Sequence, residues 1–191
     1  MNRSLIVTLI GPDRPGLVSA VAACAEGAGA NWMESRMAQL AGQFAGIVRL
    51  EVDSDAVLPL EAALRGLEAE GLHLTIEHGR EVVEPSIEPS IRRVQLSLTG
   101  HDHPGIVRDI SGVLLRYGIS IDGLETGCEP APMSGEPVFR AEADLAVPAS
   151  ADLHALQDDL EALANELMVD LELHDAAPAE PPNRSNAATG R

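Results

Sequence analysis

Aromatic side chains are almost missing from this chain: one Trp, one Tyr and two Phe among 191 residues. That scarcity argues against a surface that stacks nucleobases on aromatic rings, and it leaves Leu, Val, Ile and Ala to build any core. Positive charge is also short. Thirteen Lys and Arg face thirty Asp and Glu, a net charge of −17, so the surface repels phosphate backbones and anionic lipid, and direct DNA binding is disfavoured. The imbalance suits solubility or a basic protein partner. The two cysteines, Cys24 and Cys128, have neither metal nor redox spacing, which points to incidental thiols in a reducing compartment. No apolar run approaches the length that spans a bilayer, and the opening Met1-Asn2-Arg3-Ser4-Leu5 does not lead into a secretory signal, so the expected location is the cytoplasm. Catalytic signatures are missing as well: there is no nucleophile elbow, no Walker glycine loop, no H-E-x-x-H and no dinucleotide-binding glycine triplet. Most carboxylates, such as Asp158-Asp159 and Glu68 with Glu70, fall on expected helix faces, where solvation accounts for them. No catalytic activity, cofactor or metal is expected.

What is there is a repeat. Gly11-Pro12-Asp13-Arg14-Pro15-Gly16-Leu17-Val18 and Gly100-His101-Asp102-His103-Pro104-Gly105-Ile106-Val107 match at five of eight positions with an offset of 89, and Gly29 and Gly118 fall into the same register. Each copy begins with a strand, the apolar run Leu5–Ile10 or the alternation of Val94, Leu96 and Leu98 with polar neighbours. The Gly-x-Asp-x-Pro-Gly segment then opens a helix. Asp13 or Asp102 is placed to cap it, Pro15 or Pro104 suits its first turn, and Gly29 or Gly118 ends it. Two strands follow, around 30–40 and 43–52 in the first copy, joined at Ala41-Gly42, and around 119–128 and 137–147 in the second, joined by the Pro-rich 129–136. A second helix runs from Pro59 to about Glu70, and from Ser150, an expected N-cap, to about Leu167. In the latter, Leu153, Leu156, Leu160, Leu163 and Leu167 form an apolar stripe. A closing strand carries Leu72, Leu74 and Ile76, or Val169, Leu171 and Leu173.

The order βαββαβ, twice, predicts an α+β protein of two tandem ferredoxin-like domains, each an antiparallel sheet with helices on one face. The expected domains are 1–80 and 91–175, with a semi-extended linker at 81–90 and a disordered tail at 176–191. The uncovered sheet faces invite a sister domain or a second chain, so a homodimer is expected.

The strand-to-helix turn is the candidate site. A glycine at a helix start lets a ligand approach the backbone, and the free N–H groups there attract a carboxylate. An amino acid's carboxylate suits that position, with Asn31 or Asp122, early in the following strand, to accept from its ammonium group; the alternative is that the turn simply starts a helix well. Arg14 stands either as a carboxylate partner or as a surface charge. His101 and His103 lack a third ligand and read as solvated loop residues.

The Gly11–Val18 segment, opening a helix after a first strand, resembles the signature of ACT domains. Asn31-Trp32-Met33-Glu34-Ser35-Arg36-Met37-Ala38-Gln39-Leu40, followed by Gly42-Gln43-Phe44, resembles the glycine cleavage system transcriptional repressor family, whose members consist of two ACT domains and little else. The resemblance spans about residues 4–175. It implies an amino-acid effector, glycine or similar, bound at the first strand-to-helix turn and across a domain interface. It also implies repression without DNA contact, through a LysR-type activator of the glycine cleavage operon. The effector contacts it implies are Asp13, Arg14, Pro15, Gly16, Leu17 and Asn31, and in the second copy Asp102, His103, Gly105 and Ile106, with Asp122 beside them. His103 in place of Arg14, and Ser120 in place of Asn31, mark the second site as the one expected to be degenerate. A regulatory subunit of an amino-acid-metabolising enzyme, and a dimerisation module without ligand, remain open alternatives.

Overall fold

The computed structural model describes residues 1–79, 91–130 and 136–175. The chain divides into two compact units, Met1–Ser86 and Ile87–Arg191. The expected linker at 81–90, the expected tail at 176–191 and most of the Pro-rich 129–136 connection lie outside the described residues.

Unit 1 runs β1 (Asn2–Pro12), α1 (Leu17–Gly27), β2 (Asn31–Leu40), β3 (Gln43–Asp53), α2 (Val57–Gly66) and β4 (His73–His78). Unit 2 repeats the order as β5 (Ile91–His101), α3 (Ile106–Arg116), β6 (Ser120–Pro130), β7 (Pro137–Pro148), α4 (Leu153–Leu167) and β8 (Val169–Asp175). The sheets are antiparallel, ordered β2-β3-β1-β4 and β6-β7-β5-β8, as the repeat predicts.

Alternation along the central strands sends one set of side chains under the helices. Leu5, Val7 and Leu9 of β1 are buried with Val48, Leu50 and Val52 of β3 against Leu17, Val21 and Ala25 of α1 and Leu60 and Leu64 of α2. In unit 2, Val94, Leu96 and Leu98 are buried with Leu145 and Val147 against Ile106, Ile110 and Leu114 of α3 and Leu156 and Leu160 of α4. Leu153, Leu163 and Leu167 complete the predicted α4 stripe only half-buried. Among the described residues no polar or charged side chain is buried, so each core is closed by apolar packing alone.

The faces turned away from the helices differ. In unit 1 this face carries Ile6, Thr8 and Ile10, paired across to Arg49, Ile47 and Ala45; Ile10 and Ile47 are 49% and 44% exposed. In unit 2 it carries Gln95, Ser97 and Thr99, which lie between Asp144, Glu142 and Arg140 on one side and His174, Glu172 and Asp170 on the other. One face is apolar at its centre and the other polar and mostly acidic.

Three local expectations are corrected. The N-caps of α1 and α3 are Gly16 and Gly105, at φ of +96° and +108°, not Asp13 and Asp102. Pro15 and Pro104 consequently sit in the turn before the helix, outside its first turn. The left-handed glycine reverses the chain so tightly that the helix begins on it, leaving the aspartate too far upstream to cap. Asp152, not Ser150, caps α4, accepting from the N–H groups of His154 and Ala155 at 3.0 and 3.1 Å. The first helix ends were read correctly: Gly29 and Gly118 lie just past α1 and α3 at φ of +66° and +67°.

Candidate functional site

The two strand-to-helix turns are built alike. In each, the aspartate N–H donates to the hairpin of the next two strands, Asp13 to the Gly42 carbonyl in the turn at 2.9 Å and Asp102 to the carbonyl of Pro137, the first residue of β7, at 3.2 Å. The helix then starts on a left-handed glycine whose carbonyl accepts the first helical bond, from Ala20 or Asp109, at 2.9 Å. Glycine supplies no side chain to the first helical N–H groups, which are therefore oriented outward with the positive end of the helix dipole behind them. Leu17 and Ile106, named at sequence level beside the turns, are 3% exposed and serve the cores with their side chains.

A second glycine in each turn explains why the motif begins as it does. A Cβ on Gly11 would lie 2.7 Å from the Gly71 carbonyl oxygen, and one on Gly100 would lie 2.8 Å from Val169 Cα. The end of the first strand is thus pressed against the turn that leads into the last one. In unit 1 this brings Arg14 to Glu70, whose side chain it meets at 2.6 Å and whose carbonyl accepts from it at 3.3 Å. Glu70 ends a 3-10 turn, Leu67–Glu70, that follows α2.

Electrostatically the two turns part company. Neither Gly16 nor the first turn of α1 carries an acidic residue, and the space where a Cβ of Gly16 would project is open to 4 Å. The first turn of α3 contains Asp109, and a Cβ on Gly105 would meet Asp109 Oδ2 and Arg108 Nη2 at 3.3 Å each. Arg108 donates to Asp109 at 2.8 Å, and that bond, opposed by partial loss of water and assisted by the charges of Arg108 and His103, holds the Asp109 carboxyl below its ordinary range. The N-terminal end of α3 thus has a carboxylate of its own chain beside it; that of α1 does not.

The remaining sequence-level residues divide between the turns and the strands. His103, aligned with Arg14, has Nδ1 3.3 Å from the Pro104 carbonyl. The Cys128 thiol is pushed up by partial desolvation first and by the Asp102 carboxylate second. Asn31 opens β2, exposed, opposite Glu51. Asp122, in β6, occupies a bulge between Ile121 and Gly123, aligned with Met33 in the matching bulge of β2, and accepts from Arg93 at 2.8 Å. Sequence reasoning missed Glu70, Asp109 and Arg108. For Gly11 and Gly100 the signal was present, since both copies keep that residue.

Two concavities are also present, the second of them lined at one end by Arg108 and Asp109. One, of about 250 Å³, is on the outer sheet face of unit 1 over Ile6 and Ile47, rimmed by Glu34, Arg36 and Arg49. The other, of about 730 Å³, runs between α3 and α4, past Gly112 and Ala162.

The repeated βαββαβ order and its two antiparallel sheets are those of two tandem ferredoxin-like domains, and residues 3–77 match the ACT domain family. Over 163 residues the chain is similar to the glycine cleavage system transcriptional repressors of Escherichia coli (strain K12) and Shigella flexneri, 26% identical to each and covering 85% of either chain in the pair. Among solved structures it is similar to an unknown protein from Galdieria sulphuraria, with a TM-score of 0.82, 28% identity, and coverage of 93% of this chain and 100% of that one. A candidate glycine cleavage system transcriptional repressor shares the fold at a TM-score of 0.65 and 20% identity, over 91% of this chain and 97% of its own. These likenesses support a regulatory role. No described helix is long and apolar enough to cross a membrane.

Proposed function

We propose that this chain is an amino-acid-responsive regulator that works by binding another protein, as a repressor-like component of glycine cleavage control that does not itself contact DNA. The observation that carries the reading is the unit 1 turn. An open left-handed glycine starts a helix whose first turn holds no acid, with Arg14 alongside, and this arrangement suits the carboxylate of a small amino acid such as glycine. Asp13 and Pro15 shape the turn, and Asn31 lies at the start of the neighbouring strand. The net charge of −17 supports a protein partner, a LysR-type activator being the class suggested by the family, over a nucleic-acid one. The apolar centre of the unit 1 sheet face supports assembly into a homodimer, and it also favours the second reading, a dimerisation module with no effector.

Calorimetric titration of the full chain with glycine, L-serine and a panel of other amino acids, with thermal melts alongside, separates the two. Binding by one amino acid with a higher melting temperature supports the sensor. Replacing Gly16 by Val abolishes that binding while the melt stays cooperative; full affinity in this variant removes the turn from the site. No binding across the panel removes the sensor reading and leaves the dimerisation module.

A further inference from the structure

The unit 1 turn presents a matched pair of opposite charges, and a free α-amino acid is itself such a pair. We infer that Glu70 is a binding residue of this site: the effector enters as a zwitterion between Arg14 and Glu70, its carboxylate on the guanidinium and its ammonium on the Glu70 carboxylate. This rests on the amino-acid-sensing reading above and adds to it the residue that selects for the amino group.

Three observations carry the assignment. First, Arg14 and Glu70 come from turns 56 residues apart, and their side chains meet at 2.6 Å while remaining 46% and 50% exposed. A half-exposed ion pair contributes little to stability and opens readily, so exchanging it for two ion pairs to a zwitterion is charge-neutral and inexpensive. Second, Glu70 cannot move far. The Gly11–Gly71 contact presses its turn against β1, and Gly71 continues the chain in the left-handed conformation at φ +91°. When the pair opens, only the side chains part, and the Glu70 carboxylate stays on the turn that faces Arg14. Third, unit 2 lacks both charges. Ile10 pairs with His73 and the aligned Thr99 with Asp170; three residues back from each lie Glu70 and Leu167, while His103 stands for Arg14. Both turns then pass through a left-handed residue, Gly71 or Met168, which fixes the correspondence. The charges that unit 2 does carry at the start of α3, Arg108 and Asp109, are neighbours in sequence that pair with each other at 2.8 Å, so they do not reproduce the Arg14–Glu70 arrangement of two separate turns.

The test is calorimetric titration of the full chain and its Glu70→Gln variant with glycine and L-serine, and with glycolate and glycerate, which keep the carboxylate and lose the ammonium. The wild-type chain is expected to prefer the amino acid over its hydroxy acid by about tenfold or more, the scale of one charge-assisted contact. Glu70→Gln is expected to lose that preference through weaker amino-acid binding, while its affinity for the hydroxy acids is kept or raised as Arg14 is released. If the variant binds glycine and L-serine within about twofold of wild type, or loses amino and hydroxy acids in equal proportion, Glu70 is not the ammonium acceptor. The companion variant Leu167→Gln, on unit 2, is expected to leave the preference unchanged; an altered preference there overturns the assignment to unit 1. A wild-type chain that binds none of the amino acids refutes the sensing reading itself, an outcome distinct from failure of the Glu70 assignment.

Discussion

Replacing Gly11 by Ala tests whether the strand end and the α2–β4 turn are pressed together as described. The added methyl would sit 2.7 Å from the Gly71 carbonyl oxygen, 3.1 Å from Leu72 Cδ2 and 3.3 Å from Leu72 Cα. Two of those three atoms are backbone, so no rotamer change relieves the clash. Either the β1–β4 pairing opens, at the end where Ile10 faces His73, or the Gly71 turn shifts. Overpacking of this kind costs about 1–3 kcal/mol. Restricting the unfolded chain by a glycine-to-alanine change returns about 0.4–1 kcal/mol. The expected net loss is therefore roughly 1–2 kcal/mol, which in a domain of about 80 residues lowers the melting temperature by roughly 5–15 °C. Gly66→Ala is the control within the same unit: it ends α2 in helical conformation with nothing within 4 Å of its Cβ, and there the change stabilises by up to about 1 kcal/mol. Calorimetric melts of both variants in the full chain provide the readout. A Gly11→Ala transition unmoved or raised relative to wild type refutes the close approach, and with it the reason given for the placement of Glu70 opposite Arg14.

Two further outcomes are expected. Asp152→Ala removes the acceptor for the His154 and Ala155 N–H groups and lowers stability by about 0.5–2 kcal/mol in denaturant titration, whereas Ser150→Ala leaves it nearly unchanged. Because the folded-state pKa of Asp109 is depressed, its contribution to stability is present above the ordinary carboxylate range and is lost as the pH falls through the folded value. A carboxyl-detected NMR titration should find it low in the native chain and raised by Arg108→Gln; no change in that variant would discount the Arg108 hydrogen bond as the main cause.

The element order was legible because it rests on signals repeated in one chain: alternation in the central strands, helical spacing of Leu and Val, and glycines just past α1 and α3. The ends of elements were less so. Asp13 and Ser150 each look like caps in a linear reading, but the cap is decided by where the chain turns, and in one case a left-handed glycine, in the other Asp152, takes the position. The bulge at Asp122 was invisible for a related reason. One extra residue shifts the register by a step that no spacing rule announces, and both copies carry it at the same place, Met33 and Asp122. Arg14 was singled out and its partner was not. Glu70 is 56 positions away, and only the register of β1 with β4 carries the two turns together. A long-range ion pair of two exposed residues leaves no pattern in sequence, since either residue alone reads as a solvated charge.

The contrast between the two outer sheet faces has a consequence for the units as separate molecules. A fragment holding only unit 2 would show water a lattice of carboxylates and hydroxyls, and would behave as a well-mannered solute. A fragment holding only unit 1, with Ile6, Ile10 and Ile47 at the middle of its sheet, would carry an adhesive patch into solution. The duplication has kept one architecture and given it two temperaments. Neither half can be substituted for the other, and a chain assembled from two copies of unit 2 would gain solubility while forfeiting both the Arg14 turn and the sticky face.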